Sequence, residues 1–569
     1  MFLPTTTDEL KNLGWNQMDI IIVSGDTYID SSFNGVAIIG KLLLNYGFKV
    51  GIIAQPDINI ENDITRLGEP LLFWGVSSGC VDSMVANYTP TKRKRKTDDF
   101  TPGGLNNRRP DRAVIVYSNL IKKYFKNTRP IVLGGIEASL RRIAHYDYWD
   151  DKIRRSILFD SKADYLVYGM AEKTILELAQ KIKLQKEVTD LRGICYISKI
   201  PKEDFIELPS FEEVVKDKNK FIKMFHLFYN NNNPITAKGL VQKHGDRYLI
   251  HNPPADTPTT EELDKIYELD FERDVHPYYK RFGKVKALET IKFSITSHRG
   301  CFGECSFCSI GVHQGENIVS RSELSIIKEA KILIQHPEFK GYINDVGGPT
   351  ANMYGMKCKV KKHTGLCINK KCVFPEPCPQ LDINHGKQIN LLEKLRKLEG
   401  VKKVFVASGL RYDLIIEDKK SGDAYIKALA THHTSGQIKV APEHSEEKIL
   451  KLMQKPKIEY LEKFKNKFLT ESKRAGKKQF LTYYLIAAHP GCSEKEMKKL
   501  KKFIKTQLKV NPEQVQIFTP LPSTYSALMY YTETNPFTGE KLFVEKNIKQ
   551  KELQKKIITD TEKNKNPLD

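Results

Sequence analysis

The sequence predicts an α/β protein built from two parallel-sheet modules: an open sheet over residues 1–200 and a partial (β/α)6 barrel over residues 288–534. Three observations carry this reading. Short apolar runs alternate with helical stripes through both stretches. Glycine-rich or polar turns follow several strand patterns in the first. The alternation then lapses over residues 201–287, where prolines, the asparagines at 230–233 and acidic helix fragments read as a connecting region. At 569 residues the chain exceeds one ordinary core, taking roughly 150 residues per domain.

In chain order, the first module offers strand patterns at 18–23, 50–54, 71–76, 131–133 and 165–167, with a helical pattern at 36–44. Ser24-Gly25-Asp26, Ser77-Ser78-Gly79 and Gly134-Gly135 lie just past three of the strands, where open α/β sheets bind ligands. No GxGxxG follows any of them, so a dinucleotide site is not indicated.

The second module repeats the pattern at 291–296, 342–346, 403–408, 437–441, 480–487 and 514–518. Ser320 and Glu323 resemble a capping box for a helix stopped by Pro337, Leu391, Leu395 and Leu398 line another helix, and Ser493 with Glu496 form a second capping box. Six strand-helix units imply a barrel or partial barrel with its chemistry at the carboxyl ends of the strands. Residues 535–569 are Lys-rich and read as a polar tail.

Composition narrows the class. Hydrophobic residues at 40% and aromatics at 10% exclude wholesale disorder. No run approaches the ~18 apolar residues of a membrane span, and the first fifteen residues lack a signal core, so no membrane association and a cytoplasmic location are expected. The formal charge of +22 attracts polyanions. Much of it is Lys on helix faces, and the one dense run, residues 92–96, sits in a polar stretch that reads as a mobile basic loop. Nucleic acid stays open as a partner.

The ten cysteines are not evenly scattered. Cys301, Cys305 and Cys308 form CxxxCxxC; Cys358, Cys367, Cys372 and Cys378 share a polar, proline-containing insert at 356–380; Cys80, Cys195 and Cys492 stand alone. A disulfide framework suits neither a reducing compartment nor a chain able to bury a large core. Structural zinc wants four ligands, usually as two close pairs, whereas the first loop has three thiols and no fourth for another fifty residues. Soft thiolates suit iron–sulfur clusters. A four-iron cluster held by three cysteines keeps one iron open to an outside ligand, and the loop follows the first barrel strand, on the catalytic face.

With Phe307 just before its last cysteine, the motif resembles that of the radical S-adenosylmethionine (SAM) superfamily. The resemblance implies a [4Fe–4S] cluster on Cys301, Cys305 and Cys308 whose open iron chelates SAM. It implies reductive cleavage of SAM to a 5'-deoxyadenosyl radical for hydrogen abstraction, fed by a donor such as flavodoxin or ferredoxin. By the same resemblance Phe307, Gly347, Gly348, Ser408 and Arg411 help seat SAM: Asp345-Val346-Gly347-Gly348-Pro349 looks like the segment meeting its amino group, with Pro349 in place of the usual acidic residue. Ser408-Gly409-Leu410-Arg411-Tyr412 looks like the element contacting ribose and carboxylate, with Arg411 as a bidentate carboxylate partner.

Ser294 to Cys301, Asp345 to Gly355 and Ser408 to Leu414 are similar in wording to the YgiQ family of radical SAM proteins, as is Gly25-Asp26-Thr27-Tyr28-Ile29-Asp30; this brings a cofactor and a reaction type but no substrate, small or macromolecular. The front module resembles the cobalamin-binding Rossmann-like domain that precedes many radical SAM barrels, though the DxHxxG that would supply an axial histidine is absent and only base-off binding stays open. The insert cysteines, with His363 or His385 as substitutes, fit a second cluster, a structural zinc or no metal at all. Two alternatives accompany the enzyme reading: an RNA-modifying or nucleic-acid-binding protein, and a zinc-braced scaffold without catalysis.

Overall fold

The computed structural model describes residues 1–560 except 366, 368 and 369, with the backbone alone at 362 and 363. Nine strands form one sheet: β1 (Ile20–Ser24), β2 (Val50–Ala54), β3 (Phe73–Ser77), β4 (Ile131–Gly134), β5 (Tyr165–Val167), β6 (Ile194–Ser198), β7 (Ile206–Leu208), β8 (Leu240–His244) and β9 (Arg247–His251), in the order β7-β8-β9-β6-β5-β4-β3-β1-β2. The first five are parallel, in the flavodoxin-like order β2-β1-β3-β4-β5. Both β1 and β2 are buried along their whole length, as parallel strands covered on two faces must be, which is why they read as unbroken apolar runs. The helix Gly35–Asn45 that follows β1 is capped by Asn34, whose side chain accepts from the Val36 amide at 3.0 Å.

Residues 201–287 do more than connect. β7, β8 and β9 extend the sheet, with β8 and β9 joined as a hairpin around Gly245-Asp246 and β9 paired antiparallel to β6. Gly245 takes a φ of +64° there, the left-handed conformation that a tight hairpin demands.

In the second module β10 (Ser294–Thr296) lies parallel to β11 (Asp345–Gly347), and Tyr342–Ile343 lies parallel to β12 (Lys403–Val404). Leu410 bridges to Val440 of β13 (Gln437–Glu443), which continues into β14 (Phe480–Ala487) and β15 (Gln514–Ile517). Neighbours in space are neighbours in sequence, and among the described residues β15 does not pair back to β10, so the barrel is partial and open. Ile295, Val346, Val404, Val440, Leu485 and Val515 point into one core beneath the strand ends.

Two expectations are corrected. Helix Glu323–Gln335 is capped by Ser322, whose hydroxyl accepts from the Ser325 amide, whereas Ser320 lies in a strand. The stretch 535–569 is not simply a tail: helix Ile548–Thr559 docks on the barrel with Lys551, Gln554 and Ile558 buried; residues 561–569 lie outside the described residues. The Ser493–Glu496 capping box is present with both of its hydrogen bonds.

Candidate active site

The cysteine loop leaves β10 and runs into helix Ile310–Gln314. Gly300 turns it at φ +80°, where an added Cβ would stand 1.9 Å from the Asn317 carbonyl oxygen. The Gly303 amide donates to Cys301 Sγ at 3.3 Å. A Cβ on Gly303 would lie 3.1 Å from Cys301 Sγ, 3.7 Å from Cys305 Sγ and 2.9 Å from Arg411 Nη1, so the missing side chain leaves open the space between two thiols and a cation. Ser306 pins the far side of the loop: its amide donates to the Met453 carbonyl, and its hydroxyl to the Leu452 carbonyl at 2.7 Å. Burial raises both Cys305 and Cys308, the latter to about 12, with Lys455 and Arg411 pulling Cys305 the other way. Buried thiols beside cations lose their protons when a metal replaces them.

Among the described residues no three His, Cys, Asp or Glu side chains converge closely enough to hold a single ion. A polynuclear cluster sets its thiolates on different irons and so needs no such convergence; two thiols beside a vacated glycine, with Cys308 on the same loop, are soft donors of the kind an iron–sulfur cluster takes.

Across the loop lies a cavity of about 670 Å³ between the two modules. Its floor comes from the barrel, through Thr296, His298, Gly347, Gly348 and Ser408; its roof from the front sheet, through Ser77, Gly79, Gly135, Gly169 and Glu172. Gly348 is obligatory, because a Cβ would stand 2.6 Å from the His298 carbonyl oxygen. Asp345 organises the third strand end: it accepts from the Ala407 amide at 2.8 Å and from the Ser408 hydroxyl. From the rim an apolar slot, walled by Ile22, Ile38, Leu43, Phe73, Val132 and Ile175, extends under the front sheet beside the β1–β3 switch point.

Charged and polar side chains tie the modules together around this cavity. Arg299 pairs with Glu172 and donates to the Tyr267 hydroxyl at 3.0 Å. Burial raises the Glu172 carboxyl, but Arg299 more than offsets this and holds it below its ordinary range. His313 bonds Ser139 at 3.0 Å, so a helix starting two residues after Cys308 is fastened to the front module.

Residues 2–294 match the family described as Radical SAM N-terminal. A UPF0313 protein of Fusobacterium nucleatum is 58% identical over 564 residues, covering 99% of each chain. The chain belongs to the radical SAM superfamily. Within it, the UPF0313 proteins are its relatives along nearly the full length: that of Thermotoga neapolitana is 49% identical with 98% of both chains covered. The radical SAM methyltransferase TsrM of Kitasatospora setae, solved with cobalamin and a [4Fe–4S] cluster, matches at TM-score 0.53 and 13% identity, over 90% of this chain and 78% of that one. It shares the fold, an open sheet followed by a barrel.

Of the residues expected to seat SAM in this radical SAM protein, Gly347, Gly348 and Ser408 line the cavity, and Phe307 and Arg411 stand outside it. Phe307 packs against the apolar cores of both modules. Arg411 donates from Nε and Nη2 to both oxygens of Asp413, at 2.8 and 2.6 Å, so its fork is already engaged; what it offers the site is Nη1, 3.9 Å from Cys305 Sγ.

Sequence reasoning placed Arg299, His298 and Asp345 inside motif segments, and Glu172 in the front module, without giving any of them a role of its own. His298 is the notable omission: it is buried, faces the cavity, takes a hydrogen bond between Nδ1 and the Ser297 hydroxyl, and leaves Nε2 without a partner. Burial lowers it to about 4, so the imidazole is neutral. Its adjacency to Arg299-Gly300-Cys301 was the available signal.

His385 does not join the insert cysteines; it bonds Asp418 at 2.8 Å. The His363 side chain lies outside the described residues. The 92–96 run is tied down: Lys92 bonds the Trp149 carbonyl, Arg93 pairs with Glu552, and Tyr88 bridges to Lys94. No helix among the described residues is long and apolar enough to cross a membrane.

Proposed function

We propose that this radical SAM protein binds a [4Fe–4S] cluster through Cys301, Cys305 and Cys308 and seats SAM against Gly347, Gly348 and Ser408, with Arg411 and Phe307 shaping the cluster side. The observation that carries the reading is positional: Gly347, Gly348 and Ser408 follow neighbouring barrel strands and line one cavity, and the two ends of the cysteine loop, His298-Arg299 and Ser309-Ile310, line it too, although the three cysteines themselves do not. A cluster held by these three cysteines would, when reduced, supply one electron to the SAM sulfonium, the chemistry that gives methionine and a 5'-deoxyadenosyl radical able to take a hydrogen atom from substrate.

The chain's own part is to bind and orient. Gly348 admits ligand where any side chain would strike His298, Asp345 fixes the Ser408 hydroxyl, and the front sheet supplies the facing wall of the cavity. The Nη1 group of Arg411 places positive charge beside the thiolates. A one-electron donor of the flavodoxin or ferredoxin class supplies the reductant.

Incubation with SAM and dithionite is expected to release 5'-deoxyadenosine, and SAM is expected to perturb the low-temperature EPR signal of the reduced protein. A signal indifferent to SAM, or an iron content unchanged when all three cysteines are replaced by alanine, would sink the proposal.

The apolar slot favours one addition, a base-off corrinoid with an arm in the slot, since TsrM carries cobalamin on the same fold. The turn after β3 holds no histidine to ligate it. Titration with hydroxocobalamin tests this; an unaltered absorption spectrum removes the addition.

A further inference from the structure

Outside the CxxxCxxC loop, the structure draws three thiols of the insert together. Cys358 sits on the strand Lys357–Cys358, opposite Leu381 of the antiparallel Leu381–Asp382. The Leu381 amide donates to the Cys378 carbonyl at 2.9 Å, and the Cys378 amide to the Cys372 carbonyl at 2.8 Å. All three cysteines belong to one small apolar cluster with Phe302, Met353 and Leu414, and Cys301 packs on the same cluster. Cys367 lies between them in the chain, and none of the four is in a disulfide.

The insert has little else to hold it. Its regular elements are two strands of two residues and one helical turn, Lys361–Thr364, too short to bury a core of their own. Segments of that kind are stable when cross-linked, by disulfide or by metal. One backbone donor already faces this sulfur: the Lys361 amide donates to Cys358 Sγ at 3.3 Å. Two lysines are drawn in beside the thiols. Lys361 Nζ, buried, bridges Glu304 at 3.2 Å and Glu316 at 3.0 Å, and Lys371 reaches Glu304 at 2.5 Å. Glu304 lies between Cys301 and Cys305, so this ion network fastens the insert to the first cysteine loop.

We propose that Cys358, Cys367, Cys372 and Cys378 hold a second iron–sulfur cluster. Soft thiolates suit an iron–sulfur cluster, and Cys358, Cys372 and Cys378 pack on the same apolar cluster as Cys301 of the first loop. The inference extends the reading of the first cluster, and its test separates the two.

The full-length chain with Cys301, Cys305 and Cys308 all replaced by alanine is reconstituted anaerobically with iron and sulfide. It is expected to retain about two to four irons per chain, with matching sulfide and a thiolate-to-iron absorption band. Adding Cys358→Ser and Cys372→Ser is expected to remove them. In the otherwise native chain, those two serines are expected to leave the SAM-responsive EPR signal in place, which shows that the protein still folds. A triple-alanine chain that binds no iron, or takes up zinc instead, overturns the proposal, as does Mössbauer spectroscopy showing a single cluster in the native protein.

Discussion

Gly348 illustrates what one residue position decides. Replacing it with alanine sets a Cβ against the His298 backbone, an overpacking that costs about 1–3 kcal/mol. Gly348→Ala is expected to lower the melting temperature and to abolish SAM-dependent 5'-deoxyadenosine release while leaving the iron content unchanged. Arg411 decides differently, because its partner Asp413 is fully buried. Arg411→Ala strands that carboxylate and is expected to cost about 3–5 kcal/mol by denaturant titration; with Asp413→Asn added, most of that loss should return. The cysteine spacing and the two glycines stood out in the sequence because metal ligation and close backbone approach each restrict the residue type. His298, Glu172 and Asp345 were not, since a lone histidine or carboxylate acquires meaning only from what it faces after folding.

At the scale of elements, helix boundaries followed local rules and failed where two rules competed. Ser320 and Ser322 each precede Glu323 closely enough to cap. The chain uses Ser322, because the Ser320 hydroxyl accepts from the Gly355 amide at 2.9 Å and so belongs to a tertiary contact. Ser322→Ala is expected to cost about 1 kcal/mol, as lost caps do, read as a shift in urea midpoint.

The docked helix Ile548–Thr559 shows why a Lys-rich stretch misled. Its Lys551 is buried against Tyr148 and Tyr530, donating to the Tyr530 hydroxyl at 2.8 Å. Burial, reinforced by Lys92, lowers that ammonium to about 8. An unfolded lysine stays protonated to about 10.4, so between about pH 8 and 10 the unfolded chain binds more protons and stability rises with pH. Hydrogen exchange of residues 548–559 is expected to slow, after correction for intrinsic rates, from pH 7.5 to 9.5. Lys551→Met should flatten that dependence.

For the whole molecule, the Arg299–Glu172 pair is the clearest test of how the front sheet is held over the barrel mouth. Arg299→Met leaves Glu172 in a buried setting without its cation and is expected to cost about 3–5 kcal/mol; the double variant with Glu172→Gln should be less destabilised than the sum of the singles, because the two residues touch.

The sequence by itself determined the superfamily and the two α/β modules, because strand burial, helical periodicity and a CxxxCxxC spacing each leave a short-range pattern in residue order. Only the tertiary structure decided that residues 201–287 complete the front sheet, that the last helix packs on the barrel, that Arg411 answers to Asp413, and that a cavity lies between the modules. Those outcomes depend on which surfaces meet across hundreds of residues, and burial at such distances has no local signature.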